Sequence, residues 1–206
     1  VVVQARAAII ALPPPLAGRL RYRPALPALR DQLTQRTPMG TITKVHCLYP
    51  TPFWRDAGYS GQVTNYHGVL GTVFDNSPAD GAVGVLLGFI EGDVAREWGS
   101  RTREERRVAI VAELTDYFGA AAAHPTEYIE QSWADEEYSR GCYGSFMPPG
   151  VWTGFGPALR APIGRLFWAG TETATEWSGY MDGALQSGER AAHESLAALG
   201  LQSGAM

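Results

Sequence analysis

The spacing of apolar residues predicts a chain that begins with strands and ends with a strand, a turn and a helix. Residues 1–12 are largely apolar and stop at three prolines, which is typical of a strand end. In residues 41–49, apolar side chains occupy both alternating faces, so we expect a strand that is buried on both sides. Three further strand patterns, separated by Gly, Asn and Pro, favour an antiparallel meander: residues 61–66, 71–75 and 83–90.

The clearest helix signal lies in the middle of the chain. Thr102 and Glu105 form a capping box, apolar residues then repeat at helical spacing, and Gly119 supplies the stop. A second long helix is predicted from about residue 180 to residue 199, with small and apolar residues along one side. The other predicted segments are a short helix near 27–35, strands at 127–133 and 165–169, and a loop at 141–164.

The composition is that of a globular protein with a buried core. Of the 206 residues, 45% are hydrophobic and 18% are charged, and the formal net charge is −4. Because the chain has no basic run, we expect neither nucleic acid nor a membrane as a partner. The longest apolar run, residues 83–90, is far shorter than the roughly 20 residues of a membrane helix. Two cysteines and four histidines show no metal-ligand spacing, so we expect no metal and a reducing compartment.

The first residues raise a question about completeness. The chain begins without Met and inside an apolar strand pattern, so we expect a piece of a longer protein or a processed chain. A Gly-x-Gly-x-x-Gly motif between a strand and a helix is absent from these residues. We therefore expect that a nucleotide-binding fold is not contained here in full.

Two places in the sequence carry groups that could hold a ligand. Lys44 lies in the middle of the strand at 41–49, where an ammonium group is costly unless it finds a partner, loses its proton or reaches water. At the start of the final helix, the N–H groups of Tyr180, Met181 and Asp182 suit an anionic or carbonyl group. Tight packing of a helix on a sheet also explains the small residues farther along that helix.

Six stretches of sequence then indicate a family. The two longest are WADEEYSRGCYGSFMPPG at 133–150 and FWAGTETATEWSGYMDGALQSGERAA at 167–192. The shorter ones are ALPPPL at 11–16, PMGTITKV at 38–45, PFWRDAGYSG at 52–61 and GFIEGDVAR at 88–96. Together they resemble the C-terminal half of flavin-containing monoamine oxidases and, more loosely, of polyamine oxidases. The resemblance covers nearly the whole chain.

The resemblance implies that the C-terminal motif meets a flavin, with FAD as the cofactor. Gly170, Thr171 and Glu172 match the turn against the flavin phosphates and ribityl chain. Tyr180 and Met181 match the helix start that faces the pyrimidine edge of the isoalloxazine.

The resemblance implies further roles in the other motifs. Tyr143 and Tyr180 match two tyrosines that stand across from each other before the flavin and guide the amine, as aromatic faces can do electrostatically. Lys44 matches the lysine that holds a water near flavin N5, and Trp133 matches a tryptophan packed beside the flavin. The implied wall of the substrate pocket includes Tyr66, Thr72 and Phe89.

The mode of flavin attachment stays open. Cys142 matches a cysteine that some members join by a thioether to the flavin 8α-methyl group, whereas many bacterial relatives bind flavin without a covalent bond. Arg140 departs from the small residue that the resemblance predicts just before Gly141.

The implied fold class is α+β, in three parts. Residues 1–12 would end the strand region of a flavin-binding domain. Residues 13–135 would form a substrate-binding domain with a mixed or antiparallel sheet and flanking helices. Residues 136–206 would form the C-terminal strand–turn–helix that closes the flavin site. The nucleotide-binding N-terminal half and the C-terminal membrane helix of the mitochondrial members are both absent from this sequence.

The implied activity is the oxidative deamination of a primary amine with O2, giving an imine and then an aldehyde, ammonia and hydrogen peroxide. The implied partners are a small amine, O2 and the missing N-terminal half, with a homodimer left open. We expect a cytoplasmic, bacterial enzyme. Two alternatives remain: polyamines or L-amino acids as substrates, and an inactive truncated or cleaved chain without bound flavin.

Overall fold

The computed structural model describes residues 1–201. Its strands are β1 (Ala8–Ile10), β2 (Ile42–Tyr49), β3 (Val63–Thr64), β4 (Thr72–Asp75), β5 (Gly84–Glu91), β6 (Glu127–Ser132) and β7 (Leu166–Trp168). Its α-helices are α1 (Pro14–Ala17), α2 (Ala28–Gln35), α3 (Phe53–Asp56), α4 (Gly92–Gly99), α5 (Arg103–Phe118), α6 (Val151–Phe155), α7 (Pro157–Arg160) and α8 (Met181–Ala198). Two 3-10 helices follow α5 and β7: Ala120–Ala123 and Thr171–Thr173.

The chain divides into two compact units. One, here called the sheet unit, is Thr41–Gly141. The other, here called the α8 unit, combines Val1–Gly40 with the residues from Cys142 onward. These units differ from the predicted three parts, because residues 13–40 cluster with the C-terminal segment and residues 136–141 cluster with the sheet. The roles assigned to the three parts stay predictions.

The sheet unit is built on five antiparallel strands in the order β3–β4–β5–β2–β6. The predicted meander is confirmed, since β3 pairs with β4 and β4 with β5. Strand β2 then pairs with β5 on one side and with β6 on the other. Helices α4 and α5 cover one face, where Ala95, Ile110 and Leu114 pack against strand residues such as Val45 and Leu86.

Strand β2 is buried on one face only, so the prediction of burial on both faces was wrong. Val45 and Cys47 are fully buried, whereas the alternate residues, Lys44 among them, are half-buried. Ile42 and Leu48 make the second face apolar in sequence, but within this unit the core cluster lies against the other face. The energetic cost of a doubly buried ammonium therefore no longer supports a function for Lys44.

Helix α5 begins and ends as the sequence predicts. The Thr102 hydroxyl oxygen accepts from the Glu105 N–H at 3.2 Å, and Glu105 Oε2 accepts from the Thr102 N–H at 2.8 Å, which completes the capping box. Gly119, with a φ of +83°, ends the helix in a conformation that favours glycine. Ile110 and Leu114 form the buried side of α5.

In the α8 unit, β1 and β7 form a two-stranded parallel sheet, and α8 contacts both strands. Phe167, Ala169 and Ala191 form a small core between the sheet and the helix. A second small cluster includes Leu33 on α2 and Leu159 on α7. The apolar interior of this unit is therefore divided into two patches.

Three segments differ from their predictions. The strand expected for residues 1–12 is confined to β1, and residues 1–3 are exposed. The loop expected at 141–164 contains α6 and α7. Helix α4 was not predicted, because it has only eight residues and follows β5 directly, without a side-chain cap to mark its start.

Candidate functional site

Three of the predicted site residues lie in one row across the sheet. The strand register pairs Thr72 on β4 with Phe89 on β5, and Phe89 with Lys44 on β2. Directly paired residues of antiparallel strands project to the same face, so these side chains lie side by side. The Lys44 Nζ is 5.6 Å from the centroid of the Phe89 ring, within the range of a cation–π contact.

The row has a fourth member that sequence reasoning missed. Gln131 on the edge strand β6 pairs directly with Lys44. Its amide Nε2 donates to Glu136 Oε1 at 2.6 Å, which orients the side chain. Sequence reasoning could notice Gln131 only as the residue two positions before Trp133. The pairing register between β2 and β6 cannot be read from the sequence of either strand.

The two faces of β2 differ in chemistry. On the face of the row, His46 has a lowered pKa, first because burial disfavours the charged imidazolium and second because Lys44 is positive. On the covered face, burial raises the pKa of the Cys47 thiol to about 11, so this cysteine stays protonated and unreactive. The face with Lys44 is therefore the one that can carry chemistry in the sheet unit.

Trp133 and Tyr66 lie outside this row. Trp133 directly follows β6, its side chain is half-buried, and its N–H donates to the Ile42 carbonyl at 3.4 Å. Tyr66 lies in the loop after β3 and is 90% exposed. That loop is held by the neighbouring Asn65, whose Nδ2 donates to Glu113 Oε1 at 3.0 Å. The predicted roles of Trp133 and Tyr66 stay predictions.

In the α8 unit, the turn after β7 is held from several sides. Gly170 has a φ of +112°, which only glycine adopts readily, and its N–H donates to Ser187 Oγ at 3.0 Å. Arg190 Nη2 donates to Thr173 Oγ1 at 3.1 Å. Arg160 Nε donates to the Thr173 carbonyl at 2.7 Å. Protein groups thus position this turn without the help of a ligand.

The start of α8 has backbone donors that no side chain caps. Tyr180 is the N-cap residue, and its carbonyl accepts from Thr171 Oγ1 at 2.9 Å, which joins the helix start to the turn. The Trp177 and Tyr180 rings meet edge to face with centroids 5.7 Å apart. Tyr180 is 65% exposed and Met181 is 86% exposed. First-turn N–H groups without a side-chain cap fit the carbonyl-bearing edge of the expected flavin.

Cys142 and Tyr143 lie in a segment that pairs with Gly40. The Cys142 N–H donates to the Gly40 carbonyl at 3.0 Å, and the Gly40 N–H donates to the Gly144 carbonyl at 3.1 Å. A side chain at position 40 would collide with the Cys142 carbonyl oxygen, so the pairing requires glycine there. Tyr143 is 60% exposed, and Cys142 is half-buried and forms no disulfide within residues 1–201. Arg140, the residue that departs from the expected small one, adopts a φ of +54°, a region unfavourable for large side chains.

The predicted site residues are thus divided between the two units. The sheet unit holds Lys44, Tyr66, Thr72, Phe89 and Trp133, and the α8 unit holds Cys142, Tyr143, Gly170, Thr171, Glu172, Tyr180 and Met181. Within the sheet unit the structure aligns three of them in a row. Within the α8 unit it joins the turn at 170–173 to the start of α8.

Comparison with known proteins assigns the chain to a family. The model of the flavin containing amine oxidoreductases matches residues 1–196. Because this match covers almost all of the sequence, the chain belongs to that family.

Relatives and solved structures agree with this assignment. A Dictyostelium discoideum protein named probable flavin-containing monoamine oxidase A is 44% identical over 186 residues, which cover 90% of this chain and 41% of that protein. An L-amino acid dehydrogenase of Synechocystis sp. is 46% identical over 189 residues, which cover 92% of this chain and 40% of that protein. Cyclohexylamine oxidase from Brevibacterium oxydans IH-35A matches with a TM-score of 0.91 and 39% identity, covering 96% of this chain and 44% of that one. The chain thus spans about two fifths of the length of the relatives it matches.

Proposed function

We propose that this chain is the C-terminal part of an FAD-dependent oxidase of primary amines. The family match over residues 1–196 carries the proposal, and the uncapped start of α8 supports it, because it offers donors to a flavin. When bound, FAD supplies the two-electron redox chemistry. In the net reaction a primary amine, O2 and water become an aldehyde, ammonia and hydrogen peroxide, and water hydrolyses an imine on the way.

The aromatic residues of the α8 unit orient the amine. Tyr143 and Tyr180 are both largely exposed, so their ring faces can hold an amine nitrogen by electrostatic attraction. The neutral amine is the reactive form, so no side chain has to act as a strong base. The backbone N–H of Met181 donates to the flavin pyrimidine edge, and the turn of Gly170, Thr171 and Glu172 faces the phosphates and ribityl chain.

The residues of the row in the sheet unit have proposed roles of their own. Lys44 holds a water near the flavin, while Thr72 and Phe89 form pocket wall beside it, as their direct strand pairing supports. Trp133 packs beside the flavin. Cys142 is the candidate for a thioether to the flavin, and denaturation followed by intact mass decides whether the flavin stays attached.

We also propose that an N-terminal flavin-binding half completes the protein. The parallel sheet of β1 and β7 has only two strands, whereas parallel sheets are as a rule larger and covered on both faces. Further strands from the rest of the protein would extend it. A chain produced without that half would hold no flavin and would be inactive, which an absorbance spectrum and an intact mass of the purified protein would reveal.

A second candidate is the oxidation of an L-amino acid with an electron acceptor other than O2. The 46% identity to an L-amino acid dehydrogenase favours it. An amino acid needs a cation for its carboxylate, and Arg96, Arg101 and Arg160 each have a partner in the structure. Arg160 donates to two carbonyls of the turn, Arg96 pairs with Asp93, and Arg101 lies 4.0 Å from Glu105. These three arginines therefore do not support the second candidate.

Turnover assays of the flavin-loaded full chain separate these candidates. Primary amines, polyamines and L-amino acids are supplied with O2, and in parallel with an artificial electron acceptor under anaerobic conditions. Peroxide released from primary amines supports the proposal. Acceptor reduction by L-amino acids without peroxide supports the second candidate, and no turnover of any amine with flavin bound would refute both.

A matched pair of tyrosine variants tests the proposed site. Tyr180→Ala should raise the KM for amine by roughly five- to tenfold, since the loss of an aromatic contact costs about 1–1.5 kcal/mol. Tyr138→Ala removes a tyrosine that is also exposed and should leave KM unchanged. Equal effects of the two variants would argue against a substrate-guiding role for Tyr180.

The cellular setting stays a prediction. Among residues 1–201, no helix is long and apolar enough to cross a membrane. We propose a cytoplasmic, bacterial protein, as the resemblance implies; fractionation of cells that express the full chain tests the location.

A further inference from the structure

Glu172 has a partner that its place in the turn does not predict. Its side chain is only 8% exposed, and a buried carboxylate is costly unless hydrogen bonds satisfy it. Its Oε1 accepts the backbone N–H of Ser145 at 2.9 Å. Ser145 is 27 residues earlier in the chain and lies just after Cys142 and Tyr143. The carboxylate therefore joins the turn to the segment that carries two proposed site residues.

The turn and the 142–146 segment approach closely at Gly144. A Cβ atom on Gly144 would lie 3.3 Å from Glu172 Oε1, tighter than most such contacts. A Cβ atom on Gly170 would lie 3.6 Å from Oε2. The carboxylate thus contacts the 142–146 segment with one oxygen and lies beside its own turn with the other.

The opposite edge of the 142–146 segment is already paired. The Gly40 N–H donates to the Gly144 carbonyl at 3.1 Å, and the Phe146 N–H donates to the Pro38 carbonyl at 2.7 Å. Backbone groups of successive residues in an extended segment point to alternate sides. The Ser145 N–H therefore faces away from residues 38–40, and Glu172 accepts it.

We propose that Glu172 is a positioning residue, which holds Tyr143 and Cys142 in place by accepting the Ser145 N–H. This inference rests on the proposed function, because it gives those two residues their roles. The turn can serve as the fixed side, since Arg160 and Arg190 hold it independently. The carboxylate then acts through the protein backbone, and its negative charge is not required.

Substitutions at Glu172 distinguish its role as a hydrogen-bond acceptor from a role of its negative charge. In the flavin-loaded full chain, Glu172→Ala removes the acceptor, and the loss of one buried hydrogen bond should lower kcat/KM by about tenfold. Glu172→Gln keeps an acceptor oxygen but is neutral, and it should restore most of that loss. If Glu172→Gln loses flavin or turnover as severely as Glu172→Ala, the charge itself is needed and the proposal is wrong.

Two variants of Ser145 test the donor of the same hydrogen bond. Ser145→Pro removes the N–H donor and should reproduce the effect of Glu172→Ala, while the combined variant should be no worse than the larger single loss. Ser145→Ala keeps the N–H and removes a hydroxyl that has no hydrogen-bond partner within the described residues, so it should behave as the parent. If Glu172→Ala fails to fold, Ser145→Pro and Ser145→Ala still test the proposal. Equal turnover of these two variants would overturn it.

A background lacking Tyr143 tests whether Glu172 acts through that residue. In a Tyr143→Ala chain, adding Glu172→Ala should cost little further turnover, because the positioned group is gone. A general defect of folding would instead multiply the two losses, and that outcome would contradict the positioning role.

Hydrogen exchange gives a readout that does not depend on activity. Mass spectrometry of the peptide containing residues 142–146 should show faster exchange in Glu172→Ala and parent-like exchange in Glu172→Gln. Unchanged exchange in Glu172→Ala would refute the contact. If the exchange changes as expected but the parent oxidises no amine, the proposed function fails while the positioning contact stands.

Discussion

The sheet unit and the α8 unit are stabilised in different ways. In the sheet unit, one continuous apolar cluster joins helices α4 and α5 to the strands, and its fully buried members include Trp54, Leu86 and Ile110. In the α8 unit, apolar burial is divided between two small clusters, around Leu33 and around Phe167. A large continuous core can stabilise its unit without help from specific polar contacts, whereas two small patches cannot.

Arginines supply the additional contacts in the α8 unit. Arg30 is buried, and its Nη1 donates to the carbonyls of Ala158 and Leu159 at 3.0 and 2.9 Å. Its guanidinium carbon lies 3.6 Å from the centroid of the Trp168 ring. Arg190 donates to the Trp168 carbonyl at 2.7 Å. Truncation of apolar side chains should therefore lower stability most in the sheet unit, and truncation of polar side chains should do so in the α8 unit.

Trp54→Ala should have the largest effect on stability, and a small effect would contradict the difference between the two units. Trp54 is the largest fully buried side chain of the sheet unit, so truncation should lower the free energy of unfolding by about 4 kcal/mol through lost burial and a cavity. Denaturant unfolding of the full chain measures it. Tyr138→Ala in the same unit truncates an exposed aromatic and should change the free energy by less than about 0.5 kcal/mol. A loss under about 1 kcal/mol at Trp54 would show that the apolar core is not the main support.

Arg30→Met should have the next largest effect, through the α8 unit. It leaves two carbonyls without their donor and removes the stacking on Trp168, so we expect a loss of about 3 kcal/mol in the free energy of unfolding. Burial lowers the pKa of Arg30 to about 10, so the group is still charged at neutral pH.

Arg36→Met is the matched control for Arg30→Met. Arg36 also donates to a carbonyl and lies over an aromatic ring, that of Phe155, but it is exposed. Its loss should be below about 1 kcal/mol. Equal losses at the two positions would show that the buried contacts of Arg30 are not a special support of the α8 unit.

Gly183→Ala should lower the free energy of unfolding by about 2 kcal/mol and tests the packing of the α8 unit beside the proposed site. A Cβ atom there would collide with the Trp177 carbonyl oxygen, so the start of α8 must move. Because Tyr180 and Trp177 are in contact, amine KM should rise as well. Thermal unfolding and steady-state kinetics of the full chain measure the two effects.

Gly188→Ala is the control on the same helix. In the described chain, no atom lies within 4 Å of the Cβ that it would add, apart from neighbouring helix backbone. The higher helix propensity of alanine should therefore stabilise the protein by about 0.5–1 kcal/mol. A destabilising Gly188→Ala would indicate that this side of α8 is covered by another part of the protein.

Apart from the controls, Asp75→Asn should have the smallest effect on stability, and it tests a polar contact within the sheet unit. Burial alone would raise the pKa of Asp75, but hydrogen bonds from Arg55, Ser77 and Trp54 outweigh it and hold the pKa well below the ordinary value. A lowered folded-state pKa contributes stability that is present above the unfolded-state pKa of about 3.9 and is lost as the pH falls below it.

Asp75→Asn should therefore lower the free energy of unfolding by about 1–2 kcal/mol at pH 7 and flatten its decline below about pH 4. Urea unfolding at a series of pH values measures both. Asp56→Asn, at an exposed position of the same unit, should change neither. An unchanged acid decline in Asp75→Asn would assign the pH dependence to other carboxylates.

The elements predicted successfully from sequence carry their signal within a few consecutive residues. The capping box of Thr102 and Glu105 and the stop at Gly119 defined α5 without reference to the rest of the chain. Helix α8 and strands β4 to β6 were recognised in the same local way. Helix α4 was missed because it is short and has no side-chain cap at its start. The two-sided burial of β2 was wrong because apolar alternation does not reveal which face another element covers.

The family motifs, the ends of the long helices and the residue types of the proposed site could all be read from the sequence alone. Only the tertiary structure decided that Thr72, Phe89, Lys44 and Gln131 form one row, and that Glu172 accepts the N–H of Ser145. The physical reason is the range of the interactions. Caps and periodicity act within a turn or a strand, whereas strand register and a bond across 27 residues depend on how distant segments pack.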